Sequence, residues 1–290
     1  MIEPGEIVSG IKQLPAFSTT IVRLTALMRN PQVEPAQFEA IVQHDIGVTA
    51  NLLRVANSAY FGFSRKIVSV REAITLLGMR RLLEIGSLVA MENVVPQTLP
   101  GYGLDSGTYW RHSVAVAILA ERLAKVRKLV TPSYLFTAGL LHDIGKLVIS
   151  SHLTQRMMDV EAALAVSGKS FTDCEREILG SDHAVIGGEL GKAWKLPEEI
   201  VEVIVGHHTP NDLNHGQGHV VVDLVHAADC LAHSLGFGSD IGELKRHVED
   251  AAIVRLNIHP TDLETTASLA LREIEDLSQF IQRPPKGVAS

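Results

Sequence analysis

The chain has 290 residues, 46% of them hydrophobic, a formal net charge of −7 and two cysteines, which allows one large or two modest domains with a sizeable core. The acidic balance, with a sequence pI near 6.0, argues against a general affinity for nucleic acid or anionic membrane, and Cys174 and Cys230 are too few for a disulfide framework or a thiolate zinc site. The start Met1-Ile2-Glu3-Pro4-Gly5-Glu6 is acidic where a signal peptide is basic and then apolar. No apolar run reaches the roughly 20 residues of a membrane helix, so a reduced, soluble, cytoplasmic protein without membrane contact is expected.

Apolar residues then recur at helical spacing along most of the chain. Ile21, Leu24, Leu27 and Met28 form one face after Ser18 and Thr19, and Pro31 stops it. Pro35 opens a second helix with Phe38, Ile41 and Val42, and Asp45 a third with Val48, Leu52, Val55 and Ala56. Ser69 and Glu72 have the form of a capping box before Ile74, Leu76 and Leu77, and Gly78 divides these from a face at Leu82, Leu83, Ile85 and Val89. The Pro/Gly-rich stretch 96–107 is the best boundary, giving an N-terminal helical part over 1–100 and a second part over 101–290. Beyond it, helices are expected over Tyr109–Lys128, from Thr131 or Pro132 to His142, after Asp182 and after Pro197, and over Val220–Leu235, Gly242–Leu256 and Pro260–Gln282. The tail at 283–287 is expected to be loose. The fold class is all-α.

Polar residues interrupt these apolar helices at His112, His142-Asp143, His183, His207-His208 and Asp229. A carboxylate next to an imidazole in an apolar stretch loses several kcal/mol of hydration unless something positive replaces the water. A metal ion is the simplest such partner, although a helix cap or a salt bridge would also serve. Five imidazoles and two carboxylates without thiolate could supply two ions and favour iron, manganese or zinc over calcium, with Asp143 suited to bridge.

The order His112, His142-Asp143, Asp229 resembles the metal signature of the HD superfamily of metal-dependent phosphohydrolases, and His183 with His207-His208 resembles the larger ligand set of its HD-GYP branch. In the first hundred residues, Leu14-Pro15, Asp45, the run from Leu52 to Phe61, and Ile67 with the run from Ala73 to Gly78 are similar to the HDOD domain of bacterial signalling proteins. The chain is identified as a member of that family, with the resemblance running from about Leu14 to His208. The resemblance implies a multi-helical HD-superfamily fold with an N-terminal helical subdomain, acting as an output or regulatory module. It assigns His112, His142, Asp143 and Asp229 to one metal and His183, His207, His208 and bridging Asp143 to another, with iron or manganese favoured and zinc possible. Asp143 and Lys146 would be the catalytic pair, Lys146 contacting a phosphate, unless it is a solvated lysine after a helix. The last aspartate could instead be Asp223, six residues earlier.

After His207-His208 the chain runs from Thr209-Pro210-Asn211 to Gly216-Gln217-Gly218 without the Gly-Tyr-Pro motif that names HD-GYP proteins, which speaks against cyclic di-GMP hydrolysis. Three readings follow: a signalling module with a metal centre and a protein partner; a phosphohydrolase in which two ions about 3.5–4 Å apart act on a nucleotide-type phosphoester; and a metal-free scaffold. DNA binding through Arg65, Lys66, Arg71, Arg80 and Arg81 ranks below these, because the acidic chain lacks the electrostatic footprint it needs.

Overall fold

The computed structural model describes residues 19–27, 30, 33–42, 46–58, 61–63, 65–92, 94–154, 156, 159, 162–164, 170–211, 218–238 and 246–281. Leu14, Pro15, Asp45, Ala59, Tyr60 and the tail lie outside them. The described helices are α1 (Thr19–Leu27), α2 (Pro35–Val42), α3 (Ile46–Ala56), α4 (Val70–Glu92), α5 (Ser106–Val126), α6 (Leu135–Leu141), α7 (Gly145–Thr154), α8 (Phe171–Leu179), α9 (His183–Ala193), α10 (Glu198–Gly206), α11 (Gly218–Ser234), α12 (Asp250–Leu256) and α13 (Pro260–Ile281). The strands described are a two-residue antiparallel pair, β1 (Thr98–Leu99) and β2 (Leu104–Asp105). The fold is all-α.

Local chemistry sets several of these boundaries. Asp105 caps α5 by accepting from the Thr108 N–H at 2.7 Å, Ser170 and Asp173 form a capping box on α8, and Asp182 caps α9 through the Val185 N–H. Gly78 bends α4 at φ 78° and ψ 160°, a conformation that costs glycine little. Of the helix expected over Gly242–Leu256, residues 242–245 lie outside the described residues, 246–249 are not helical, and α12 begins at Asp250. The residues before it are used otherwise: Arg246 reaches Asp229, and the Glu249 N–H donates to His226 Nε2 at 3.1 Å.

The buried apolar side chains form two cores. One joins Leu24, Phe38, Val42, Leu52, Leu82 and Ile85 across α1–α4. The other runs from Leu88 and Met91 at the end of α4 through α5 to α13. At its centre lies α5, packed by α6, α11 and α13 and buried on nearly every side from Tyr109 to Ala124. Stretch 96–107, with Leu99, Tyr102 and Leu104 buried, packs on α7. Where α7 begins it crosses the start of α9 so closely that a Cβ on Gly145 would stand 1.8 Å from the His183 carbonyl oxygen. That crossing brings His142-Asp143 to His183.

Candidate metal centre

Five helices deliver the polar residues to one buried place. His112 projects from the middle of α5. His142 follows α6 and His207 follows α10, each as the C-terminal capping residue. Both use one device. His142 Nδ1 donates to the Gly139 carbonyl and His207 Nδ1 to the Ile204 carbonyl, each at 2.7 Å. The bond satisfies a terminal helix carbonyl and leaves the Nε2 lone pair of each ring pointing inward. His183 opens α9, and its Nδ1 donates to Glu175 Oε2 at 2.7 Å. Asp229 and His233 come from one face of α11, four residues apart.

Asp143 is the hub. Its Oδ1 lies 3.2 Å from His183 Nε2 and 3.7 Å from His207 Nε2. Its Oδ2 lies 3.5 Å from both His112 Nε2 and His142 Nε2. His208 Nε2 stands 2.8 Å from His183 Nε2. On the other side, Asp229 Oδ1 is 3.2 Å from His112 Nε2 and 3.7 Å from His142 Nε2. Every residue assigned by resemblance to the two ions is therefore in one cluster. Asp223 is elsewhere, in a two-pronged ion pair with Arg255 at 2.6 and 2.7 Å. Lys146 is not a solvated lysine: it is 2% exposed, with Nζ 2.8 Å from Asp143 Oδ2 and 5.4 Å from the Tyr102 ring centre.

Electrostatics follow from burial. Desolvation pushes His142 and His207 down to about 4, against the pull of Asp143, so both rings are neutral at pH 7. His183 is driven the other way, because Glu175 and Asp143 outweigh its burial and raise it to about 9. Burial opposes the charge of both aspartates, yet Lys146 beside Asp143 and Arg246 beside Asp229 hold them well below the usual carboxylate range.

These residues fit a metal ion. The Nε2 atoms of His112, His142 and His207, with Asp229 Oδ1, are buried without a hydrogen-bond partner, a cost that natural interiors rarely leave uncompensated. Asp143, His183, His207 and His208 offer donor atoms within one ion's reach, as do His112, His142 and Asp143. Sequence reasoning missed His233, Glu175, Tyr102 and Arg246. Only His233 carried a signal, its spacing of four from Asp229. Glu175 accepts from the His183 ring, the His183 N–H and the Tyr102 hydroxyl. It thus fixes the ring's orientation as carboxylates behind metal-bound histidines do.

Comparison with known proteins agrees with this architecture. The HDOD domain model matches residues 14–210. An uncharacterized protein of Treponema pallidum (strain Nichols) is 26% identical over 209 residues, 70% of this chain. Ribonuclease Y of Lawsonia intracellularis is 34% identical over 123 residues, 42% of this chain. The aligned parts span only 39% and 18% of those two proteins. Among solved structures, an HDOD domain protein of unknown function from Geobacter sulfurreducens superposes with a TM-score of 0.72 at 24% identity, covering 96% of this chain and 94% of that one. A proposed metal-dependent phosphohydrolase from Shewanella amazonensis SB2B superposes at 0.59 with 21% identity, covering 96% and 98%. At these identities the likeness is one of fold.

Proposed function

The chain belongs to the HDOD family, and from that premise we propose that it is a bacterial signal-transduction output module with a dinuclear metal centre. The observation that carries this reading is the division of Asp143, whose Oδ1 faces His183 and His207 while Oδ2 faces His112 and His142. A carboxylate so placed, with unpartnered imidazole nitrogens on both sides, would be shared between two cation positions. Iron or manganese suits the mixed nitrogen and oxygen donors. Helices α1–α4 build their own core and supply none of the cluster, which leaves them as the surface for a protein partner.

The same cluster supports a second reading, hydrolysis of a nucleotide-type phosphoester. Bound ions would supply Lewis acidity toward a phosphoryl oxygen. His208 and His233 are the members of the cluster that are only partly buried, and a substrate would approach from the side of His208. Lys146 holds an ammonium against Asp143 and would be the residue to meet a phosphate oxygen.

Elemental analysis of protein purified without a nickel column tests the first reading. Two equivalents of iron, manganese or zinc, lost in Asp143→Ala, are expected. An absence of metal after reconstitution would overturn it and leave the metal-free scaffold. Failure of the loaded protein to turn over a broad panel of nucleotides would remove the second reading alone.

A further inference from the structure

Asp229 uses its two oxygens differently. Oδ2 takes the Arg246 guanidinium. Oδ1 is ringed by imidazole nitrogens, with His233 Nε2 at 3.4 Å joining those of His112 and His142. Despite these neighbours Oδ1 accepts no hydrogen bond, and it is buried. Separations of 3.2–3.7 Å are long for hydrogen bonds between nitrogen and oxygen. They suit adjacent donors around a common ion, since ligands about 2.0–2.2 Å from a metal at right angles stand about 3 Å apart. The His233 ring also lies against that of His112, with centres 4.9 Å apart, and its side chain is 6% exposed. His112, Asp229 and His233 offer three donor atoms within 4.8 Å of one another.

We propose that His233 is an additional protein ligand of the first metal position, completing a set of three imidazoles and two carboxylate oxygens with His112, His142, Asp143 and Asp229. The inference rests on the dinuclear reading above and makes its two halves unequal. The first position has five protein donors and the second has four: His183, His207, His208 and Asp143. Five nitrogen and oxygen donors exceed the tetrahedral set that zinc prefers in closed sites and suit a six-coordinate iron or manganese ion. The first ion is therefore the tightly held one, and the second is the one that exchanges.

Titration of chelator-stripped protein with Mn2+, followed by calorimetry and by elemental analysis after desalting, reads the two affinities without any assay of activity. Wild type is expected to bind two ions unequally. His233→Ala should weaken the tighter site by about tenfold or more and leave the weaker one unchanged. Cobalt substitution adds a signature that a merely structural histidine would not move, a change in the visible spectrum of the tighter ion on loss of one nitrogen donor. His233→Gln provides a second variant should alanine disturb the helix. Unchanged affinities and spectrum in a folded variant would overturn the proposal, as would equal weakening at both sites. Wild type that binds no ion would instead overturn the dinuclear reading itself.

Discussion

His183 is the residue at which protons and a bound metal would compete most directly. In the metal-free protein its ring is held between Glu175 at Nδ1 and Asp143 and His208 at Nε2, and it is charged up to about pH 9. Ligation at Nε2 requires that proton to leave, whereas His142 and His207, already neutral at about 4, release none. Binding of the second ion is therefore expected to release one proton at pH 7, with affinity rising about tenfold per pH unit until pH 9. Calorimetry in buffers of different ionisation enthalpy measures this directly, and an enthalpy independent of buffer would refute it. Glu175→Gln removes the charge that favours the imidazolium while keeping the side chain's shape. It should abolish the proton release and weaken the second ion by about 10- to 100-fold, read in the same titration. At this scale the seven residues of the cluster expected as ligands were legible because a histidine or aspartate inside an apolar helix stands out against its neighbours. Glu175 and Arg246 were not, since each acts from a helix or segment that is polar in its own right, and only the fold brings them to the cluster.

Helices matter here mainly for where they stop. Two of the imidazoles sit on helix C-termini, where the ring returns a hydrogen bond to the carbonyl three residues back. A third opens α9 directly after its Asp182 cap. Ends can be read from caps, prolines and periodicity, which is why most helices matched expectation, whereas α7 and α8 were not anticipated. The start at Asp250 shows another limit: residues 246–249 have helix-compatible sequence but are recruited by Asp229 and His226, a tertiary demand that local pattern does not carry. The close crossing of α7 and α9 was also invisible in the sequence, although Gly145 marks it. Any side chain there meets the His183 carbonyl, so Gly145→Ala must separate the two helix starts. The expected cost is about 3 kcal/mol or more, measured by chemical denaturation. Metal content should fall with it, because Asp143 and His183 move apart; a variant of unchanged stability would show that the crossing can relax.

Across the whole molecule, α4 ties the two cores together, with Leu82 and Ile85 in one and Leu88 and Met91 in the other. The polar link at this seam is a quartet. Arg80 and Arg81 on α4 each contact Glu84 on the same helix and Glu121 on α5, and the Ser87 and Thr137 hydroxyls meet nearby at 3.1 Å. Glu84 is 3% exposed. Its burial and the Glu121 carboxylate raise it to about 7, outweighing Arg81 and Arg80. A carboxyl group raised in this way binds its proton more tightly in the folded than in the unfolded protein. Its contribution to stability is thus fully present below the unfolded value near 4.5 and is lost as pH climbs toward about 7. Glu84→Gln keeps the size and one acceptor without the charge. The variant should therefore lose the downward slope of stability between pH 4.5 and 7 and equal or exceed wild type at pH 8, because Glu121 still pairs with both guanidiniums when the charge on Glu84 is gone. Urea denaturation across that range decides the matter. Strong destabilisation of Glu84→Gln at pH 8 would mean instead that the ionised carboxylate, held by both guanidiniums, is what fastens the N-terminal helices to the helix that carries His112.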